Sequence, residues 1–497
     1  MIKNFTDLMV DVKTHEEIPD ILIYGLTTNS KKVKNGYLFF AVKGENFDGN
    51  NFIESAFKNG AYAVITEKKV SSEQRNKLII HVEDIKKTIS AVANQFYGNP
   101  SKLLNIIGIT GTNGKTSVCS LLYSILSSSG IKCAQLGTLG LIKNNSTEIN
   151  DYTTPESIEL NKYFYDLNKE GYTHIIMEVS SHAIEQKRIS NISFNIALFT
   201  NLTPEHLDYH KTLNNYFNAK LSLFKALSIK SKAVINIADY YGKKIKKSIT
   251  IPTRDFSISG KNGAHFKVIK CNYAGINGII KSDSYQYKIE SKLIGKFNAE
   301  NILAAVECAH ILGIEKKFIE LGVKKCPSIP GRMESFDLSN GAKVVLDYAH
   351  TPDAYEKSLS TLSKIVKQQG KIYIVFGAGG ERDQLKRAEM GKIVEKYCYH
   401  SFITPDNPRH EKLKSINDQI ISGFKRKESY SIFTNRSEGL HNALKITKKN
   451  DLVAVLGKGR EDYQEINGKF LKFSDKKIAP IKIDAATKKN IIKQINL

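Results

Sequence analysis

Residues 103–130 read LLNIIGITGTNGKTSVCSLLYSILSSSG, and this stretch decides the fold class. An apolar run, LLNIIGIT, leads into the glycine-rich GTNGKT, and SVCSLLYSILSSSG then carries a helical pattern. Strand, phosphate loop and helix follow in that order. Gly111 and Gly114 let main-chain N–H groups approach an anion, and the helix behind them points its positive end at the phosphates. Lys115 is expected to neutralise charge on the β- and γ-phosphates, and the Thr116 hydroxyl to face Mg2+. Thr112, Asn113 and Ser117 complete the loop. Five residues separate Gly108 from Gly114, so the strict GxxxxGK[ST] spacing is not met. The placement between a strand and a helix carries the reading.

Working outward, the runs HIIMEVS, NIALFTN and KAVINI are further strands, so 104–330 reads as a doubly wound α/β sheet that binds ATP. Upstream, ILIYGL, YLFFAVKG, AYAVITEKK and KLIIHVED read as strands, with NFIESAFKNG as a helix between two of them. That makes 1–103 a small α/β domain. From Gly331 a third unit opens, with KVVLDYAH, KIYIVFGAGG, the helix RAEMGKIVEKY, HSFITPDNP and DLVAVLGKGR, and it is expected to be a Rossmann-like domain over 331–497. A chain of 497 residues exceeds one ordinary core, in keeping with three α/β domains.

Apolar residues make up 41% and charged residues 25%, as in soluble globular proteins, and no window approaches a membrane span. The N-terminal MIKNFTDLMVDVKTHEEIPD is acidic early and lacks the apolar core of a signal peptide, so a cytoplasmic location is expected. Cys119, Cys133, Cys271, Cys308, Cys326 and Cys398 form no CxxC pair, which fits reduced thiols. The formal charge of +23 raises the question of nucleic acid. The cations are 63 Lys against 10 Arg, spread along the chain without an Arg-rich patch or an aromatic RNA motif. A solvated lysine surface accounts for them, and no nucleic-acid partner is expected.

The strand HIIMEVS ends in Glu178, Ser180, Ser181 and His182, at the carboxyl edge where open α/β sheets bind ligands. TNLTPEHLDYHKT follows with His206, Asp208 and His210, and then Lys220. Glu178 and His206 are candidate Mg2+ ligands, directly or through water, although Mg2+ prefers oxygen.

TGTNGKTS, EVSSHA, TNLTPEHLDYH, GKFNAEN, PGRME, DYAHTPDAY, GAGGERD, DNPR and GKGREDYQ occur in one order, and in that order the sequence resembles the Mur ligases over nearly its whole length. The resemblance implies an ATP-dependent ligase of peptidoglycan precursor synthesis. Its substrates would be ATP, UDP-N-acetylmuramoyl-L-Ala-D-Glu and a diamino acid. Ser30 then corresponds to a uridine-side contact, with Asn29 and Lys31 departing from the family's Asp-Ser-Arg. Thr153, Thr154, Ser180, Gln186 and Arg188 fall where the family holds the muramoyl dipeptide. Lys220 aligns with a lysine carried as a CO2-derived carbamate, whose oxygens coordinate one of two Mg2+ ions with Glu178 and His206. Asn301 resembles the adenine contact, and Arg332, Asp347 and His350 resemble residues that reach ATP from the third domain. Arg382, Asp406, Asn407, Pro408, Arg409, Gly457 and Glu461 fall on the amino-acid pocket. The second arginine of that pocket pairs with a second carboxylate, as in meso-2,6-diaminopimelate, and lysine-adding members lack it. The usual GKGHE reads Gly457-Lys458-Gly459-Arg460-Glu461 here, which leaves an isosteric diamino diacid such as lanthionine open.

The chemistry implied is phosphorylation of the D-Glu γ-carboxylate to an acyl phosphate and attack on it by the amine, with domain closure bringing the groups together. A monomer acting on small molecules, without membrane insertion, is expected. Three alternatives stand beside this reading: a lysine-adding member of the same family, a folylpolyglutamate synthetase, and a basic nucleotide-binding protein without catalysis. The second lacks a UDP-binding first domain and a DNPR-type pocket.

Overall fold

The structure, a computed structural model, describes residues 1–44, 47–69, 77–144, 146–258, 260, 263–282, 284–366 and 370–478. The expected third domain therefore extends past the described residues, over 479–497. Two compact units emerge. One comprises Met1–Leu202, Asn214–Phe256 and Ala304–Gly322; the other comprises Thr203–Leu213, Ser257–Leu303 and the chain from Val323 onward.

The first unit holds two α/β sheets. Gly25–Thr27, Tyr37–Ala41, Ala61–Thr66 and Ile79–His81 lie side by side in chain order, all parallel. Successive residues of YLFFA go to opposite faces: Leu38 and Phe40 enter one apolar cluster, Phe39 and Ala41 another. That period of two is what a strand covered on both sides requires. The helix Ile85–Phe96 starts on Asp84, whose side chain accepts from the Lys87 N–H. The same carboxylate pairs with Lys187, and Ser90 and Ser101 accept from the Asn191 and Ser193 amides at 3.3 and 3.1 Å. The first sheet is thus tied to the loop just after Gln186 and Arg188.

The second sheet runs in the order Ser146–Glu148, Gly140–Lys143, Cys133–Gly137, His174–Glu178, Asn105–Thr110, Ile196–Phe199, Lys232–Asn236, Thr253–Phe256. From Cys133–Gly137 onward its strands are parallel. The connection leaving Asn105–Thr110 runs to one side and that leaving Ile196–Phe199 to the other, so the phosphate loop sits at the switch point, where such sheets bind ligands.

In the second unit the sheet order is Glu334–Asp337, Lys343–Asp347, Leu452–Leu456, Ile372–Phe376, His400–Ile403, Tyr430–Ile432, antiparallel only at the first pair. LVAVL is buried at every position, with Val453 and Val455 in one cluster and Leu452, Ala454 and Leu456 in the other. Burying each of the larger side chains stabilises by about 1.5–3 kcal/mol. Two features absent from the sequence reading appear here. One is an antiparallel three-stranded sheet, His265–Asn272, Gly275–Ser282 and Tyr285–Ser291. The other is a hairpin, Tyr463–Ile466 with Lys469–Lys472. No helix among the described residues is long and apolar enough to cross a membrane.

Candidate active site

In the first unit the phosphate loop is shaped by its own backbone and by the next strand's end. Gly111 has φ +147°, and a Cβ there would lie 1.9 Å from Thr200 Oγ1. Gly114, at φ +90°, starts the helix Lys115–Ser128 without a side-chain cap, so the helix turns its positive N-terminal end to the loop. The Thr112 and Asn113 amides donate to the Asn201 main-chain and side-chain oxygens at 2.8 and 2.9 Å, and Thr200 Oγ1 donates to the Asn113 carbonyl at 2.7 Å. Lys115 Nζ folds back onto the carbonyls of Gly111 and Thr112, at 2.9 and 2.8 Å.

Beside the loop, Glu178 is 1% exposed. Thr116 Oγ1 donates to its Oε2 at 3.1 Å, and the Thr138 amide to its Oε1 at 2.8 Å. A Cβ at Gly137 would fall 2.4 Å from Oε1, so a glycine there makes room for the carboxylate. Thr138 Oγ1 reaches Thr153 Oγ1 at 3.1 Å, and Thr154 Oγ1 donates to the Glu178 carbonyl at 2.8 Å and accepts from the Ser180 amide at 3.1 Å. Arg188 donates to the Thr154 carbonyl at 2.9 Å and through Nε to Gln186 Oε1 at 3.1 Å, pairs with Glu156 at 2.9 Å and lies over the Tyr152 ring. Lys220, 1% exposed, donates to the Gly111 carbonyl at 3.1 Å and lies 4.5 Å above the Tyr216 ring. Tyr216 in turn bonds Thr112 through its hydroxyl at 3.1 Å. Ser30 stands apart, opening a short turn capped by Asn29 and accepting at its carbonyl from Asn59.

The second unit gathers its groups at one edge of its sheet. Asp347 accepts from the Met333 and Ala349 amides at 2.7 and 2.9 Å and from Ser358 at 3.2 Å. Burial pushes its carboxyl pKa up against the pull of Arg332. Arg332 lies over the Tyr348 ring at 4.9 Å. His350 meets Glu205 at 3.0 Å, and His206 lies 3.8 Å from the same carboxylate. Asn301 donates to Asn298 at 2.8 Å. In the DNPR turn, Asn407 Nδ2 donates to Glu461 at 2.9 Å. Arg409 pairs with Glu465 at 3.0 Å and donates to the Gly380 carbonyl at 2.7 Å, while Arg382 is more exposed and 3.8 Å from Asp208. Gly380 packs on this turn so closely that a Cβ would sit 1.9 Å from the Pro408 carbonyl, and Gly457, at φ +110°, lies beside Asp406. His206, Met333, Glu381 and Arg409 all have φ between +50° and +56°, uncommon for non-glycine residues and concentrated at functional sites.

Residues 22–97, 109–309 and 331–459 match family models described as "Mur ligase family, catalytic domain", "Mur ligase middle domain" and "Mur ligase, glutamate ligase domain". The chain is 42% identical to the UDP-N-acetylmuramoyl-L-alanyl-D-glutamate--2,6-diaminopimelate ligase of Aquifex aeolicus, over 92% of each chain. The chain belongs to the Mur ligase family. A second relative with that printed name, from Syntrophomonas wolfei, is 36% identical over 96% of this chain and 97% of its own. A solved structure of a ligase so named superposes with a TM-score of 0.68 at 30% identity, covering 99% of both chains. The three-domain α/β architecture is that of Mur ligases.

Within this Mur ligase, one unit brings together Gly111 to Ser117, Thr153, Thr154, Glu178, Ser180, Gln186, Arg188 and Lys220. The other holds Arg332, Asp347, His350 and His206 with Arg382, Asp406, Asn407, Pro408, Arg409, Gly457 and Glu461. Among the described residues no cluster of three or more His, Cys, Asp or Glu forms a ready metal cage. The sequence reading passed over Glu205 and Lys458. Glu205 was concealed as one acid among many, and Lys458 as one lysine among 63.

Proposed function

We propose that the chain joins a diamino acid, meso-2,6-diaminopimelate or an isosteric diamino diacid, to the D-Glu γ-carboxylate of UDP-N-acetylmuramoyl-L-Ala-D-Glu, using ATP. The observation that carries this is the 42% identity, over 92% of both chains, to a ligase with that printed activity. We assign uridine-side binding to 1–103, ATP to 104–330 and the amino acid to 331–497, in a monomer working in the cytoplasm.

A carboxylate resists amines because its oxygen is a poor leaving group. The γ-carboxylate oxygen therefore attacks the γ-phosphorus of ATP, and ADP departs. The amine nitrogen then attacks the acyl carbon, loses its proton and expels phosphate. The helix Lys115–Ser128 points its positive end at the phosphates, and Lys115 offsets the charge that develops on them. Thr116 and Glu178 offer a hydroxyl and a buried carboxylate 3.1 Å apart, a donor set suited to a hard, oxygen-preferring cation. Bound Mg2+ supplies charge neutralisation on the phosphoryl group. Lys220, placed against the loop's own carbonyl, would add an anionic oxygen pair to that set as a carbamate. Arg188 orients the dipeptide, and Arg409 with Arg382 receives the carboxylates of the diamino diacid.

Phosphate release with UDP-N-acetylmuramoyl-L-Ala-D-Glu, comparing meso-diaminopimelate, lanthionine and L-lysine, tests the reading. Release with a diamino diacid and little with lysine is expected. Release with lysine alone would keep the ligase and overturn the pocket assignment, and none with any acceptor would overturn the ligase.

A further inference from the structure

We propose that Lys458 is a positioning residue of the amino-acid pocket: its ammonium sets Asp406, Asn407 and Glu461 in the arrangement that receives an ammonium group of the incoming diamino acid. This rests on the ligase reading and specifies how the pocket of that reading is held.

Lys458 is fully buried. Its Nζ lies 3.4 Å from Asp406 Oδ1, 3.0 Å from Asn407 Oδ1 and 3.1 Å from Glu461 Oε2. A buried ammonium is tolerated only when paired and hydrogen-bonded, and here three acceptors meet its three donors. The acceptors come from two loops. Asp406 and Asn407 follow the strand His400–Ile403, while Lys458 and Glu461 follow Leu452–Leu456, with Ile372–Phe376 lying between those strands. The same two segments also meet through main-chain bonds between Arg409 and Glu465 and between Asn467 and Arg409, and Lys458 adds a buried charged tie to that pairing.

The contacts also divide the labour inside the pocket. Asn407 Oδ1 accepts from both Lys458 and the Glu465 amide, the latter at 3.0 Å, while its Nδ2 donates to Glu461. Its amide is thus committed to the frame. Lys458 engages one oxygen of each carboxylate. Glu461 Oε1 accepts from the Tyr348 hydroxyl at 3.3 Å, and Asp406 Oδ2 lies beside Gly457, where a Cβ would be 2.9 Å away. Lys458 offsets part of the charge of the two carboxylates, and Lys386 and Arg436 also act on Asp406, while the carboxylate oxygens that Lys458 does not engage are the ones offered to a substrate ammonium. Without Lys458, two desolvated anions would face each other across the pocket and move apart. Arginine cannot substitute fully, since a planar fork does not meet three converging acceptors as an ammonium does.

The test uses the full-length chain with Mg2+ and compares wild type, Lys458→Met and Lys458→Arg. Circular dichroism reports folding. Exchange of label between ADP and ATP, with the UDP-dipeptide and no amino acid, reports acyl-phosphate formation. Steady-state kinetics give KM for meso-diaminopimelate. We expect that KM to rise about 30-fold in Lys458→Met and about 10-fold in Lys458→Arg, with exchange unchanged. Lys458→Arg keeps the buried charge and carries the test if Lys458→Met does not fold. A folded variant with wild-type KM for the amino acid would overturn the proposal, and so would one that loses exchange and amino-acid affinity in equal measure. A wild-type chain with neither exchange nor amino-acid-dependent phosphate release would overturn the ligase reading, and this proposal with it.

Discussion

Two lysines, Lys115 in one unit and Lys458 in the other, each steady a loop of the candidate site, and they do so by opposite means. Lys115 bonds two main-chain carbonyls of its own loop, three and four residues away, and the loop is otherwise held by amides, Thr200 and Asn201. Lys458 bonds three side chains, two of them 51 and 52 residues away in sequence. A loop built from backbone geometry tolerates many neighbours but few changes at its glycines and its cation. A pocket built from side chains couples every member to the others and to the stability of the domain. Replacing Lys115 with Ala should therefore give the largest effect: kcat lower by about 10^3-fold, roughly 4 kcal/mol, with the unfolding midpoint nearly unchanged. Phosphate release and urea unfolding on the same variant decide it, and a large loss of stability would erase the contrast.

The same contrast explains what the sequence disclosed. The phosphate loop is contiguous, so strand, glycines, lysine and helix could be read off 103–130 directly. Alternating strands such as LVAVL and YLFFA were legible from apolarity alone. The antiparallel sheet over 265–291 was passed over because its strands are polar on one face: YQYKIES buries Tyr287, Ile289 and Ser291 while exposing the residues between. That alternation was a usable signal. The helix Lys296–Ile311 lacks one because every residue from Asn301 to Ala309 is buried, Glu307 among them, which leaves no amphipathic stripe. In the pocket, Arg409 and Glu461 were reachable only through ordered motifs, since nothing local in DNPR says that its arginine will bond the Gly380 carbonyl and Glu465.

A second prediction presses on the side-chain frame. Arg436 and Asp475 are both buried and pair twice, at 2.9 and 2.8 Å. Arg436 also donates to Thr404 and to the Leu456 carbonyl, at the ends of the strands that lead into Asp406 and Gly457. Asp475→Asn leaves a buried guanidinium short of its counter-ion and should cost about 3 kcal/mol in urea unfolding of the full chain. Amino-acid-independent ADP–ATP exchange should persist below the transition. If exchange and the pocket fail together at low urea, the two regions are less separable than their construction suggests.

A third change, Arg409→Ala, narrows the comparison to specificity. The arginine is held by Glu465 and Gly380 at a φ of +52° and has guanidinium donors beyond those two contacts. Losing it should raise KM for meso-diaminopimelate by about 30-fold, roughly 2 kcal/mol, and leave KM for lysine unaltered. Equal increases for both acceptors would show that Arg409 only shapes the turn.

The smallest effect is expected from pH, acting through the clamp that joins the GGER loop to the DNPR turn. Arg387, fully buried, donates twice to Glu411 at 2.6 and 2.8 Å and once to the Gly379 carbonyl at 2.9 Å. Glu411 also accepts from the Glu381 amide at 3.0 Å. The bond from Arg387 is the chief reason the Glu411 carboxyl is held below its ordinary value of 4.5, against some desolvation. A depressed carboxylate contributes stability that is fully present above the unfolded value and is lost as pH falls through the folded one. Glu411→Gln should therefore be less stable than wild type at pH 7, and the gap between the two unfolding midpoints should shrink once pH drops below 4.5. A gap that stays constant from neutral to acid pH would mean that Glu411 holds the loop by shape alone, making this part of the pocket more like the phosphate loop than like the frame around Lys458.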